Sequence, residues 1–304
     1  VKKLALWLVA AVVFQLCIYL YLDRVLLVPA VSQVSVTSPV TQISGKVSKW
    51  LSYDGSFRAE VSKDWVKFYS VKDNRLVNEV TIGSTEKLTY FSWLPDRDIA
   101  FAGISKPGAK GATCVLKPIN MLTDSHPVEP AIGGQSKDAE IVDVAASPDI
   151  NVIYIQVKNG NASAIYRDDA NNRLTQVPNT PALIGRIANL KSEDGLLYDS
   201  INTGRVYLVD SNGRRQLSPN DGNQYALIGT DKNDNIYIAR LSSPASASGR
   251  QTSSRTGGSR LAEAVLVGTA DGYFSPLPQA GLPNPVDYIK VTYDGTISIS
   301  SSSF

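Results

Sequence analysis

Few residues in this sequence have side chains suited to chemistry. A single imidazole is present, His126, in the run Asp124-Ser125-His126-Pro127. A Ser-His-Asp site of the hydrolase type also needs a nucleophile elbow, and no Gly-x-Ser-x-Gly occurs. Zinc needs several imidazole or thiolate ligands, which His126, Cys17 and Cys114 cannot supply. The two cysteines lie far apart in the chain, so no disulfide framework is expected. Asp231-Lys232-Asn233-Asp234-Asn235 places oxygen ligands at alternate positions. It lacks the later Gly and the bidentate Glu of a calcium loop, and it reads better as a hairpin turn. Asp168-Asp169-Ala170-Asn171-Asn172 reads the same way. There is no phosphate-cradling Gly-rich loop with Lys-Ser/Thr and no dinucleotide fingerprint. No catalytic residue, metal or cofactor is therefore assigned. The 28 carboxylates leave a glycosidase-type pair open, although turns explain most of the Asp residues.

The charge balance narrows the partners. Net charge is +2 with no long Lys/Arg run, so nucleic acid is not expected. At 43% hydrophobic and 19% charged residues, the chain has the composition of a folded protein. Residues 4–22, from Leu4 to Leu22, carry no charge. As a helix they would extend about 28 Å, near the thickness of a bilayer core. Lys2 and Lys3 precede the run, and Asp23 and Arg24 follow it and cancel. The positive-inside rule then puts the N-terminus in the cytoplasm and the bulk of the chain outside it. Trp7, Tyr19 and Tyr21 fit interfacial positions. The alternatives are a buried core helix and a cleaved signal peptide ending near Val28-Pro29-Ala30, but the apolar run is longer than such peptides use. The expected organisation is a stub and single-pass anchor over residues 1–30, then an extracytoplasmic domain over 31–304. Val1 hints at a bacterial alternative start codon.

Beyond residue 30 the pattern changes to short Val/Ile/Tyr/Phe/Leu runs broken by Asp, Asn, Gly, Ser and Pro, as in many short strands with tight turns. One turn recurs, centred on Asp54, Asp96, Asp149, Asp194, Asp234 and Asp294, at spacings of 42, 53, 45, 40 and 60. Asp and Asn suit these turns because their side chains bond the local backbone and tolerate left-handed φ. An apolar run usually precedes each turn and another follows it; two further runs complete most units. Four strands per 40–50 residues is a propeller blade. The expected fold is all-β, a six-bladed β-propeller, with five or seven blades as alternatives. The sixth unit ends after two strands, and residues 33–37 and 40–44 are expected to complete it and remove its exposed edge.

Ser147-Pro148-Asp149, Asn202-Thr203-Gly204-Arg205-Val206-Tyr207 and Asp210-Ser211-Asn212-Gly213 resemble the blade turns of TolB-type propellers and of the dipeptidyl-peptidase IV N-terminal domain. The resemblance covers roughly residues 45–304 and implies fold rather than function. In the dipeptidyl-peptidase arrangement a hydrolase domain follows the propeller, and this chain carries none.

In such a fold the connections between second and third strands emerge on one face. The longest spans residues 242–260, with Arg250, Arg255 and Arg260 spaced by five; residues 105–111, with Lys106 and Lys110, form a shorter one. Residues 120–138 are expected to open on the same face as an inter-blade segment. Lys106, Lys110, Arg250, Arg255 and Arg260 are thus the candidate binding residues, a basic rim for a protein or an anionic envelope polymer. The plainer reading is a solvated loop kept soluble by its charges. The function expected is that of a membrane-tethered scaffold or binding module. A glycan-active hydrolase with acidic residues in the central channel and a small-ligand sensor are the alternatives.

Overall fold

The computed structural model describes residues 47–123, 127–147, 149–242 and 260–299, together with Lys3 and Gln15, both helical. The chain divides into two compact units, Val1–Ser35 and Val36–Phe304. Apart from Gln15, the expected anchor at residues 4–22 lies outside the described residues, as do the expected closing strands at 33–44, His126, Arg250 and Arg255. Among the described residues no helix is long and apolar enough to cross a membrane.

The second unit is a succession of antiparallel sheets, each a meander with its strands in chain order. The first sheet holds β1 (Ser48–Leu51), β2 (Phe57–Val61), β3 (Trp65–Ser70) and β4 (Leu76–Thr81). The second holds β5 (Lys87–Trp93), β6 (Ile99–Gly108), β7 (Gly111–Asn120) and β8 (Ala131–Gln135). The third is β9 (Glu140–Ser147), β10 (Val152–Asn159), β11 (Ala162–Asp168) and β12 (Leu174–Gln176). The fourth is β13 (Ile184–Asn189), β14 (Leu196–Ser200), β15 (Arg205–Asp210) and β16 (Gly213–Gln216). The fifth contains β17 (Tyr225–Thr230), β18 (Ile236–Leu241), β19 (Leu261–Gly268) and β20 (Phe274–Leu277), and β21 (Asn284–Pro285) pairs with the start of β19. Among the described residues the sixth holds β22 (Ile289–Val291) and β23 (Ile297–Ile299).

The recurring turns join the first and second strand of every sheet, and their Asp residues act locally as the sequence suggests. Asp54 accepts the Ser56 N–H at 2.8 Å and the Ser52 hydroxyl at 2.9 Å. Asp231 accepts the N–H groups of Asn233 and Asn235 at 2.9 and 3.0 Å and the Tyr237 hydroxyl at 3.0 Å. In the β11–β12 turn, between third and fourth strands, Asp169 acts the same way and accepts from the Asn171 and Arg173 N–H groups at 2.9 and 3.0 Å. The Asp231 and Asp169 oxygens that suggested calcium loops are thus used by the turns themselves.

Alternation along each strand sends apolar side chains to both faces, and each face packs on the next sheet. Five apolar clusters result, one between each successive pair of sheets. Between the first and second sheets, Phe68, Phe91 and Trp93 pack at tilted or edge-on angles, with ring centroids 5.5 to 6.2 Å apart. On the face of the fourth sheet that meets the third, Tyr198 of β14 stacks on Tyr207 of β15 at 5.5 Å. From the second sheet to the sixth, the first strands β5, β9, β13, β17 and β22 adjoin one another in turn, so they form the inner wall.

Two expected loops take a different form. Ser105, Lys106 and Pro107 are not an insertion: they extend β6 and pair with Cys114, Thr113 and Ala112 of β7. Residues 120–138 are not an inter-blade segment, because they contain β8, which pairs with β7. Since strand directions alternate, the chain leaves β7 after Asn120 at the end opposite to that expected. Cys114 is buried in the second cluster, and burial pushes its thiol up to about 11.

Candidate functional site

The expected rim residues do not assemble as one patch among the described residues. Lys106 reaches Glu86 at 3.4 Å, and Lys110 is exposed in the β6–β7 turn. Arg260 is tied inward. It ion-pairs with Asp199, whose side chain is wholly buried, and its carbonyl accepts from the Val286 N–H at 2.8 Å. Gly185 makes the pairing possible, because a Cβ there would lie 2.3 Å from a carboxylate oxygen of Asp199.

Arg260 leads to a charged network on the inner wall. The first strands β5, β9, β13 and β17 each carry a register shift, which re-aims the side chains at that point. Arg186 sits in the shift of β13. Its guanidinium donates to the carbonyls of Ile228 at 3.3 Å, Ile289 at 2.9 Å and Val286 at 3.0 Å, so one side chain of the fourth sheet binds the fifth and sixth. Its backbone N–H donates to Asp199 at 2.6 Å. Asp143 on β9 accepts the Ile187 N–H at 3.1 Å, joining the third sheet to the fourth. Thr89 on β5 accepts the Ile141 N–H at 3.2 Å and joins the second to the third. Burial pushes the Asp143 carboxyl up to about 6, against the pull of the Ile187 N–H and of Arg186. The Lys290 ammonium on β22 is held below its usual value by burial and by Arg186.

The Asp143 shift has a measurable consequence. In the unfolded chain this carboxyl titrates near 3.8, so the fold prefers its protonated form. The associated stability is complete below about pH 4 and is lost as the pH rises through about 6. Asp143 retains some contact with solvent, which reduces the loss to about 2 kcal/mol. The wild type should therefore lose about that much relative to Asp143→Asn between pH 4 and pH 7. Urea unfolding at a series of pH values reads this, and a pH-independent difference would show that the shift is absent.

A recess lies at the opposite end of the sheets, where first-to-second and third-to-fourth turns emerge. It is a groove of about 360 Å³ between the third and fourth sheets. Tyr154 of β10, Arg167 of β11 and residues 175–178 form one side. The β13–β14 turn and the end of β15 with its following turn form the other. Asp194 crosses between the two sides. It accepts the Tyr154 hydroxyl and both the Nε and Nη2 groups of Arg167, the latter two at 3.0 and 2.5 Å. Asp210 is held by Arg215 and by the Asn212 N–H at 2.8 Å. The charges of Arg167, Asp194 and Asp210 are therefore answered within the protein. Glu193, Gln176, Ser211 and Asn212 present side chains with no protein partner among the described residues.

Two more turn carboxylates, Asp234 and Asp294, also bridge sheets. Asp234 of the fifth sheet accepts from the Lys191 and Ser192 N–H groups of the fourth, and Lys232 of the fifth reaches Asp294 of the sixth at 2.7 Å. Turns that the sequence presents as local are thus fasteners between neighbours.

Comparison with solved structures decides the architecture. The chain superimposes on a structure from an analysis of two prolyl endopeptidases with a TM-score of 0.51 at 14% identity, over 80% of this chain and 36% of that one. The fold is a β-propeller. Two further propeller-like matches are the Porphyromonas gingivalis dipeptidyl peptidase 4 and a chain of the mitotic checkpoint complex. The first has a TM-score of 0.46 at 14% identity, over 78% of this chain and 39% of that one. The second has a TM-score of 0.44 at 16% identity, over 76% of each chain. The propeller spans little more than a third of the prolyl endopeptidase and dipeptidyl peptidase chains. No family model and no curated protein matches the sequence.

Proposed function

We propose that this chain is a membrane-tethered, extracytoplasmic propeller that works as a binding module for a protein or an envelope polymer. The groove between the third and fourth sheets carries the reading. Arg167 and Asp194 pair across the two sheets, which fixes its walls, while Gln176, Ser211, Asn212 and Glu193 remain open to a partner. The inner-wall carboxylates support binding over hydrolysis: Asp143 and Asp199 are engaged by backbone N–H groups and by Arg260, as architectural carboxylates are. Tethering rests on the charge-free run at 4–22 and the lysines before it. Six blades are the count that fits the sheets. Residues 33–37 and 40–44 are then the natural partners of β23, whose outer edge has no partner strand among the described residues.

Protease added to intact cells that express the full chain should digest its bulk, and affinity capture from the solubilised envelope should retrieve a partner. Full protection of the chain in intact cells would place the domain in the cytoplasm and end the extracytoplasmic reading. Capture of nothing above a control propeller would end the binding reading.

A further inference from the structure

We propose that the groove between the third and fourth sheets binds a short stretch of uncharged glycan, about two sugar rings long. This inference rests on the binding-module reading and names the ligand class for the groove. The size suits it, since 360 Å³ falls within the range of small-ligand sites. The chemistry of the open groups selects the class. Gln176 and Asn212 each offer an amide with both a donor and an acceptor, and the Ser211 hydroxyl offers both as well. A row of sugar hydroxyls has the same dual character, so each can be answered in both directions. Pro178, which is exposed, and the half-buried Val209 supply an apolar patch on which the C–H face of a ring can rest, while the buried Tyr154 backs the wall.

Charge argues against the main rival, a basic peptide. Arg167 and Asp194 neutralise each other, and Arg215 neutralises Asp210. Glu193 alone is left unpaired, and one exposed carboxylate attracts a cation weakly in water. It can instead accept from a hydroxyl. The walls also need little ordering on binding, because Asp194 already fixes Tyr154 and Arg167 across the interface.

The test is calorimetric titration of the full chain in a detergent without a sugar headgroup. The probes are a β-1,4-linked N-acetylglucosamine trisaccharide, maltotriose and, as rival, a trilysine peptide. At least one trisaccharide should bind with a Kd between roughly 0.1 and 1 mM. Asn212→Ala and Gln176→Ala should each weaken it about three- to tenfold, with unchanged melting temperatures because both side chains are exposed. The proposal is overturned if neither sugar binds at roughly 10 mM, if binding ignores both variants, or if trilysine binds and Glu193→Gln alone abolishes it. Failure here leaves the wider reading distinguishable: an envelope partner captured equally well by Asn212→Ala keeps the binding module and removes the glycan from this groove.

Discussion

Arg186→Met should lower the melting temperature of the protein by roughly 10 °C, equivalent to about 3–5 kcal/mol. The guanidinium is the shared donor for the carbonyls of Ile228, Val286 and Ile289. Methionine fills a similar volume but donates nothing, so three acceptors near the inner wall lose their partner at once. Asp143 and Asp199 also lose a nearby cation. Arg186→Lys is the informative companion. Its compact ammonium keeps the charge but cannot span three carbonyls on two sheets, so it should recover less than half of the loss. Thermal unfolding of the three proteins side by side reads the outcome. A shift under about 2 °C for the methionine variant would mean that the sheets are held by their apolar faces alone.

Asp199→Ala should cost a comparable 3–5 kcal/mol, or about that range, for a different reason. Its carboxylate is wholly buried and answers both the Arg260 guanidinium and the Arg186 backbone N–H. Removing it leaves a half-buried cation and a backbone donor unpaired, and alanine supplies no acceptor for either. The double variant Asp199→Ala/Arg260→Met should regain about 1–3 kcal/mol over Asp199→Ala, since it removes the stranded charge. Additive losses in this cycle, measured by urea unfolding, would falsify the assignment of Arg260 to Asp199.

The fold was legible because its turns are chemically explicit. Asp54, Asp96, Asp149, Asp194, Asp234 and Asp294 mark where first strands hand over to second strands, and apolar runs beside them fix the ladders. Legibility failed where composition and structure part. β8 runs through Gly133 and Gly134, residues poor at holding a strand, and is held by its pairing with β7. The run Ser105-Lys106-Pro107 has the polarity of a loop, yet the long β6–β7 hairpin carries it. The network of Asp143, Arg186 and Asp199 left a signal in the sequence: each is a charge inside an otherwise apolar strand run. What the sequence withholds is the pairing. Arg186 meets Ile289 across 103 positions and Asp199 meets Arg260 across 61, separations that only the packing of whole sheets closes. The groove was missed for the same reason, since Arg167 and Asp194 belong to different sheets and each looks, in isolation, like an ordinary turn-flanking charge.

The clamped return of the chain at Arg260 makes this site a port for engineering. Ser242 donates to the Leu261 carbonyl at 2.9 Å, so the strands β18 and β19 leave and re-enter the sheet side by side. With both ends pinned, the register of the fifth sheet does not depend on how many residues lie between them. Each doubling of that length adds only about 0.6 kcal/mol of closure entropy. A reporter domain or an epitope spliced between Ser242 and Arg260 should therefore be carried as cargo, with the surrounding sheets folding as before.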